Sequence, residues 1–280
     1  MATWTPEEPD RGRRLLLRGA QQTLLITLYA KALDSRARRP ILGDSKADEV
    51  VRAIDYDFQR TALPGNSRVI VVRARQIDEW VREYLRREPR SVVLNLGCGL
   101  DSRVSRISPP SGVEWFDVDF PEVIEERESF FAEHSGYGML GYSLTDHRWL
   151  ECVPRDRPAM VVAEGVFEYL REDGVRSLLG RIVEAFPRGQ LAFDVMNSHA
   201  IASGRSALRE RMGAEHTWAV DDVGALDSLE PRLRRVSNLS VFRSRYMPMR
   251  QRIALGAASV VPRIGGMIRL LRYEFGRPGA

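Results

Sequence analysis

The hydrophobic positions of this 280-residue chain follow two patterns. Residues 15–33 and 67–87 carry apolar side chains three and four positions apart, which predicts two amphipathic helices, the second ending before Pro89. Between residues 91 and 196, short apolar runs alternate with helical segments instead. The runs that predict strands are 91–96, 113–118, 137–144, 159–163 and 190–196, with helices predicted from Pro121 and over 172–186. This alternation indicates parallel βαβ units, and therefore a doubly wound α/β domain over residues 67–197.

Composition excludes several classes of protein. Hydrophobic residues make up 44% and charged residues 29% of the chain, which is typical of a folded protein and excludes a disordered, collagen-like or coiled-coil chain. No apolar run approaches the length of about 20 residues needed to cross a bilayer, so we expect no membrane segment. Residues 13–17 resemble a twin-arginine export signal, but polar residues interrupt the apolar part that follows. We therefore expect them to belong to a mature helix.

The cysteines and histidines carry no metal-binding pattern. Cys98 and Cys152 form no CxxC pair, and the four histidines are scattered without an HxxH or HxH pair. We expect no metal site, and two unpaired cysteines suggest a reducing, cytoplasmic compartment. Cys98 is expected to be a small buried filler.

A glycine turn follows the first predicted strand. Gly97 and Gly99 allow the backbone to turn tightly and to approach a ligand at the start of the next helix. Asp119 ends the second predicted strand 20 residues after Gly99, where an acid can accept hydrogen bonds from ribose hydroxyls. Position 102 is serine, so the third glycine of a dinucleotide fingerprint is missing. This favours a nucleoside without a pyrophosphate, S-adenosylmethionine, over NAD, and a structural turn without a ligand is the alternative.

Several motifs in order resemble the leucine carboxyl methyltransferase family. They are residues 73–78 (RARQID), 93–103 (VLNLGCGLDSR), 115–124 (WFDVDFPEVI) and 162–170 (VAEGVFEYL). Residues 23–32 and 218–222 are similar to the bacterial branch of the family that acts in polyketide synthesis, and the resemblance covers about residues 20–275. It implies a class I methyltransferase, with a Rossmann-like doubly wound sheet, an N-terminal helical extension and C-terminal antiparallel strands.

The resemblance also implies a division of the chain and a charge distribution. Residues 1–66 are expected to form a helical cap, 67–197 the S-adenosylmethionine-binding core, and 198–280 a part that completes the sheet and covers the substrate, all in one integrated domain. The net charge is +4, yet residues 231–280 contain eleven arginines and one acid, Glu274. We expect most of these arginines to form a solvated face. The alternative is that some attract an acidic small molecule or an acidic carrier protein.

Cofactor-binding roles follow from the resemblance, residue by residue. Arg73 is expected to pair with the carboxylate of S-adenosylmethionine, with Lys31 near the same carboxylate. Gly97 and Gly99 are expected to meet the amino-acid end, and Asp119 the ribose hydroxyls. The family's pattern also places Glu164, Ser143 and Leu144 at the cofactor: Glu164 faces the ammonium or nearby backbone amides, and Leu144 packs on the adenine. The family usually has Asp-Leu where this chain has Ser143-Leu144, which implies looser adenine binding.

Each role has a structural alternative. Arg73 and Glu164 could form an internal salt bridge, and Asp119 could cap the helix that opens at Pro121. Tyr29 and Tyr169 are candidates for lining the substrate pocket, or could be core residues.

The chemistry of the acceptor decides whether a base is needed. A carboxylate, with a pKa near 4, is ionised at neutral pH, whereas a phenol, with a pKa of about 10, needs help to ionise. We therefore assign no catalytic base, and expect methyl-ester formation on a small-molecule carboxylic acid such as a polyketide intermediate. A phenol, a protein C-terminus and non-catalytic adenosine binding remain alternatives. Nucleic acid is not expected, because residues 164–167 read EGVF where base methyltransferases have Asn/Asp-Pro-Pro-Tyr.

Overall fold

A seven-stranded sheet with the order β3-β2-β1-β4-β5-β7-β6 organises the fold. The computed structural model describes residues 13–17, 19–61, 66–258 and 261–276. The strands are β1 (Val92–Leu96), β2 (Glu114–Asp119), β3 (Tyr137–Gly141), β4 (Ala159–Ala163), β5 (Arg188–Met196), β6 (Arg234–Ser240) and β7 (Ile268–Gly276). Strands β1 to β5 are parallel, and β7 runs antiparallel to both β5 and β6. The predicted fold class is confirmed, including the antiparallel pair at the C-terminal end.

Helices cover both faces of the sheet. The longer ones are α1 (Leu24–Ser35), α2 (Ser45–Ala53), α3 (Asn66–Arg87), α5 (Pro121–Glu128), α6 (Glu172–Ala185), α7 (Ser198–Met212) and α9 (Met249–Ala258). Short helices are α4 (Arg103–Ile107), α8 (Val223–Asp227) and α10 (Pro262–Gly265). In the described ranges, no helix is long and apolar enough to cross a membrane.

Alternation along the strands divides the core into two clusters. In β1, Val93 packs with α1, α2 and α3, whereas Val92, Leu94 and Leu96 pack with α6 on the opposite face. All five residues of β1 and of β4 are buried, as expected for central strands covered on both faces.

The boundaries of the first helix and of the third strand differ from the predictions. The helix predicted over 15–33 begins with a 3₁₀ turn at Gly19–Thr23, and α1 continues to Ser35. The third strand ends at Gly141 rather than at residue 144, because residues 143–146 form a turn in which the Asp146 amide donates to the Ser143 carbonyl at 2.9 Å. Residues 1–12 of the predicted cap lie outside the described residues, and the three-part division of the chain stays a prediction.

Several arginines of the basic C-terminal segment are paired with acids. Arg234 pairs with Glu274 on the neighbouring strand, and Arg272 with Glu83 of α3 at 2.8 Å. Arg232, Arg235 and Arg245 also have acidic partners. Part of the positive charge that stands out in the sequence is therefore neutralised in the fold.

Candidate functional site

Gly97 and Gly99 hold the turn after β1 in a left-handed conformation. Their φ angles are +61° and +51°, which favour glycine. A Cβ on Gly97 would stand 2.5 Å from Cγ2 of Val166, and one on Gly99 would stand 3.2 Å from Cβ of Leu24 in α1. The turn is thus closely packed between α1 and the loop after β4. Cys98, between the two glycines, is buried as predicted.

Asp119 joins this turn to the end of β2. Its Oδ2 accepts a hydrogen bond from the Gly99 amide at 2.8 Å, and its Oδ1 accepts one from the Phe120 amide at 2.8 Å. Burial raises the pKa of Asp119 to about 6, although both amides and Arg127 oppose the rise. Because each carboxylate oxygen has a second lone pair, Asp119 can accept further hydrogen bonds. Its two amide partners do not include an amide of the first turn of α5.

Arg73 lies in α3 with 5% of its surface exposed. Its Nη1 donates to Asp194 Oδ2 at 2.8 Å, and its Nε donates to Glu164 Oε1 at 3.3 Å. The internal salt bridge considered above therefore exists in this structure. Within the described residues, no hydrogen bond involves Nη2. Gly165 makes room for Nη2, because a Cβ at that position would stand only 3.1 Å from it.

Lys31 reaches the same acid from α1. Its Nζ lies 3.0 Å from Asp101 Oδ1 and 3.7 Å from Glu164 Oε1, and the residue is 3% exposed. Arg103 also donates to Glu164, through Nη2. Burial alone would raise the pKa of Glu164, but Lys31, Arg103 and Arg73 hold it at about 2. Glu164 is consequently ionised and binds three cations at once.

The sequence did not predict a further group of charged residues that adjoins Glu164. Arg103 Nε donates to Asp78 Oδ1 at 2.8 Å, and Arg106 Nη1 donates to Asp44 Oδ2 at 2.6 Å. Ser102, which stands where a dinucleotide fingerprint has glycine, donates to Asp44 and so ties the glycine turn to the start of α2. Asp78 and Arg103 lie within the motifs quoted above, whereas Asp44 and Arg106 do not, and spacing along the chain did not pair any of them.

Glu168 and Asp194 are two further acids that sequence reasoning did not single out. Asp194 accepts from Arg73 and from the Gly165 amide at 2.8 Å. Glu168 is 3% exposed, and its Oε2 has no hydrogen-bond partner among the described residues. Burial, together with the charge of Asp194, raises the pKa of Glu168 to about 8.

Comparisons with known proteins identify the family of this chain. A family model described as leucine carboxyl methyltransferase matches residues 20–183. The tetracenomycin polyketide synthesis O-methyltransferase of Streptomyces glaucescens is 41% identical over 270 residues, which cover 94% of this chain and 100% of that protein. The chain belongs to the leucine carboxyl methyltransferase family. It is an S-adenosylmethionine-dependent methyltransferase.

Other relatives of this methyltransferase are more distant. An S-adenosyl-L-methionine-dependent methyltransferase of Gibberella zeae is 33% identical over 248 residues, covering 80% of this chain and 83% of that protein. A crystal structure of a putative methyltransferase from Thermobifida fusca superposes with a TM-score of 0.63 and 14% identity, covering 93% of this chain and 96% of the other. The plantazolicin methyltransferase, solved with S-adenosylhomocysteine, has a TM-score of 0.53 and 11% identity, covering 92% and 98%. These structural similarities show the fold.

Ser143 and Leu144, which the resemblance places at the adenine, follow β3. The Ser143 hydroxyl lies 2.9 Å from the Thr145 hydroxyl in the turn after β3, while Leu144 is buried against the core. Asp146, in the same turn, pairs with Arg148, at 2.6 Å from Nη2.

Tyr29 and Tyr169 lie in different environments. Tyr29 stacks on Phe58 with ring centroids 5.3 Å apart and packs against the main core. Tyr169 packs against a small cluster that contains Leu208 and Met212 of α7, and meets His216 edge to face at 5.0 Å. The structure therefore places Tyr29 against the main core and Tyr169 in a small apolar cluster with residues of α1 and α7.

The residues present fit the charges of S-adenosylmethionine. Lys31 and Arg73 are buried cations beside the glycine turn, as its carboxylate requires, and Asp119 has lone pairs for ribose hydroxyls. The unpartnered oxygen of Glu168 is an acceptor for a donor that this chain does not itself provide among the described residues.

Proposed function

We propose that this methyltransferase esterifies the carboxyl group of a small-molecule acid, such as a polyketide or another natural-product intermediate. The observation that carries the proposal is the composition of the charged cluster around Glu164. Among the described residues, none of its hydrogen bonds or ion pairs involves a histidine, and Glu164, Asp101 and Asp194 are tied to cations. Such a site suits an acceptor that is already ionised and needs positioning rather than deprotonation.

The cofactor would lie across the carboxyl ends of β1, β2 and β4. Arg73 and Lys31 would bind its carboxylate, with Glu164 holding the two cations side by side. The backbone at Gly97 and Gly99 would pass beneath the amino-acid end. Asp119 would bind the ribose hydroxyls. Leu144 would pack on the adenine, with Ser143 as a neutral neighbour.

The chain's contribution to the reaction would be alignment and exclusion of water. The cofactor supplies a methyl group activated by a positive sulfur. Fixed side chains such as Arg73 and Asp119 hold their ligand atoms without reorganising, and this preserves the line from acceptor oxygen through methyl to sulfur. Removing water from an acceptor carboxylate strengthens its attack on a positive centre.

The acceptor would enter between α1 and α7, past Tyr169. Tyr169 and His216 meet edge to face there, and Tyr169 packs with Ile26, Leu208 and Met212. An acceptor with an aromatic ring system would suit this site, because aromatic rings pack edge to face.

Arginines of residues 231–280 would at most attract the acidic acceptor from a distance. Such attraction predicts a kcat/KM that falls steeply with added salt, since exposed charges are screened over about 10 Å at 0.1 M. A kcat/KM that does not change with salt would assign these arginines to the solvated surface alone.

The acceptor class is tested with matched pairs of small molecules. Each aromatic carboxylic acid is offered beside the phenol with the same ring system, with S-adenosylmethionine labelled in its methyl group. The proposal expects label in the acids, released as methanol by mild alkaline hydrolysis. Label that resists alkali, or that appears only in the phenols, would show ether formation and overturn the proposal. A heat-inactivated sample controls for spontaneous transfer.

A further inference from the structure

Glu168 is a buried acid for which the fold supplies no hydrogen-bond donor at one oxygen. It lies on the 3₁₀ turn Phe167–Tyr169, four residues after Glu164, and is 3% exposed. Its backbone carbonyl accepts hydrogen bonds from the amides of Thr217 and Trp218, at 2.7 and 3.3 Å. Its side-chain Oε2 has no partner within the described residues. Burying a polar atom without a hydrogen-bond partner is energetically unfavourable, so the position of this oxygen needs an explanation.

The groups facing Glu168 do not neutralise it. Arg73 of α3 is the nearby cation, but its hydrogen bonds go to Asp194 and Glu164. Asp194 of β5 and Glu164 are both acids, and they disfavour a second negative charge beside them. The neighbouring Tyr169 packs in an apolar cluster, and its phenol carries no positive charge.

Glu164, unlike Glu168, is paired with cations. Its carboxylate binds Lys31, Arg73 and Arg103, so its oxygens are already engaged by cations. A further positive group would have to compete with these three. The carboxyl group with free acceptor capacity is therefore the one on Glu168.

The whole buried cluster carries more acids than bases. Its cations are Lys31, Arg73, Arg103 and Arg106, and its acids are Asp44, Asp78, Asp101, Glu164, Glu168 and Asp194. A surplus of buried negative charge is unfavourable unless a proton or a cation neutralises it. The cluster is suited to a ligand that brings positive charge.

We propose that Glu168 is the carboxylate that receives the α-ammonium of the cofactor, while Glu164 keeps its three cations. This inference rests on the proposed cofactor site. The ammonium and the carboxylate of an amino acid are bonded to the same carbon, so a ligand carboxylate on Arg73 brings the ammonium among the groups around Arg73. An ammonium has three N–H donors and suits an unpartnered carboxylate oxygen.

Binding would then release a proton from the protein. With a pKa raised to about 8 by burial and by Asp194, Glu168 is protonated in the free protein at neutral pH. An ammonium beside it favours the ionised form, so its carboxyl O–H bond breaks and the proton passes to the buffer. The new contact is an ammonium–carboxylate hydrogen bond.

Titration calorimetry at pH 6.5 in buffers of different ionisation enthalpy measures this proton. At that pH an α-amino group, with a pKa of about 7.7–8.0, is already protonated in the free ligand. The wild-type protein should release close to one proton on binding either S-adenosylmethionine or S-adenosylhomocysteine, because both carry the ammonium. Glu168→Gln should lose most of this release and should bind with an affinity that no longer rises between pH 6.5 and 8. Glu172→Gln, an exposed change on α6, should behave as wild type.

The outcomes separate this inference from the function it rests on. Binding with no proton release, or with the same release in Glu168→Gln, would overturn the role of Glu168 and leave the cofactor site intact. Release with S-adenosylmethionine alone would assign Glu168 to the sulfonium and overturn the ammonium assignment. Failure of the wild-type protein to bind either ligand would reject the cofactor site and this assignment with it. The absence of proton release in the wild-type protein would overturn the inference even if a variant folds poorly.

Discussion

Arg127 holds the glycine turn from behind by donating a hydrogen bond from Nη1 to the carbonyl oxygen of Gly99 at 2.9 Å. The guanidinium is fully buried, and its Nη2 pairs with Asp117 of β2. Asp117 in turn accepts hydrogen bonds from Asn95, at 2.8 Å, and from Tyr137, at 2.8 Å. The turn at the candidate site is therefore fixed by a buried polar network that joins β1, β2, β3 and α5.

Breaking that network should cost much stability. Asp117→Asn removes the charge that pairs with Arg127 and leaves a buried cation, so we expect a loss of about 3–5 kcal/mol in the free energy of unfolding. Urea denaturation measures the loss. Asp156→Asn breaks an ion pair with Arg157 at the surface, where solvent screens the charges, and should change stability far less. Equal effects of the two substitutions would contradict a structural role for the network.

The turn itself tolerates no side chain at Gly97. Gly97→Ala places a methyl group 2.5 Å from Cγ2 of Val166 and forces alanine into a left-handed conformation, which alone costs about 1–2 kcal/mol. We expect a lower thermal unfolding midpoint and weaker cofactor binding. The double variant Gly97→Ala/Val166→Ala removes the clash but not the conformational cost, so it should recover part of the loss. No recovery would mean that the contact with Val166 does not matter.

Binding of the ribose should follow the ionisation of Asp119. Its pKa of about 6 means that the acceptor form is lost as the pH falls below 6, so affinity for S-adenosylhomocysteine should weaken from pH 7 to pH 5. Measuring this in the Glu168→Gln background removes the contribution of Glu168. In that background, Asp119→Asn should weaken binding by about 1–3 kcal/mol at pH 7 and flatten the dependence. A slope that persists in the Asn variant would assign the titration to another group.

Glu168 should destabilise the free protein over a defined pH range. Its pKa is about 8 in the folded state and near 4.5 when unperturbed, so the unfolded chain loses this proton first. Stability is therefore lost as the pH rises from about 4.5 to about 8. Glu168→Gln should raise the free energy of unfolding by about 1–3 kcal/mol at pH 8 and by less at pH 5. A gain independent of pH, or a loss of stability, would contradict the absence of a partner for this carboxyl group.

The five parallel strands were predicted well because each is a short apolar run that can be recognised locally. The run at 159–163 coincides with β4, and the helix predicted over 67–87 differs from α3 by one residue at its start. The helices α2, α7 and α9 were not delimited from the sequence. Of these, α2 lies within the segment expected to form a helical cap, and its Ala47, Val50 and Val51 share a core cluster with Leu25 and Leu28 of the neighbouring α1. Antiparallel strands in the C-terminal part were implied by family resemblance rather than by local pattern, but their pairing was not predicted. The structure pairs β7 with β5, from Arg188 with Gly276 to Met196 with Ile268.

The sequence pointed to some residues of the candidate site but not to the contacts among them. The glycine turn and Asp119 follow from spacing along the chain. The contacts among Lys31, Asp101 and Glu164 depend on how α1 lies across the sheet, which no local pattern encodes. Glu168 was not singled out from the sequence, because only the folded structure shows that its buried Oε2 has no hydrogen-bond partner among the described residues.

A crystal structure of the protein with S-adenosylhomocysteine tests the central claim most directly. The account predicts the ribose on Asp119, the homocysteine carboxylate on Arg73 and Lys31, and the ammonium on Glu168. A nucleoside bound elsewhere would contradict it. One such place is the 620 Å³ groove between α1, α3 and α9. A ligand whose amino-acid end does not touch Arg73 would contradict the account equally.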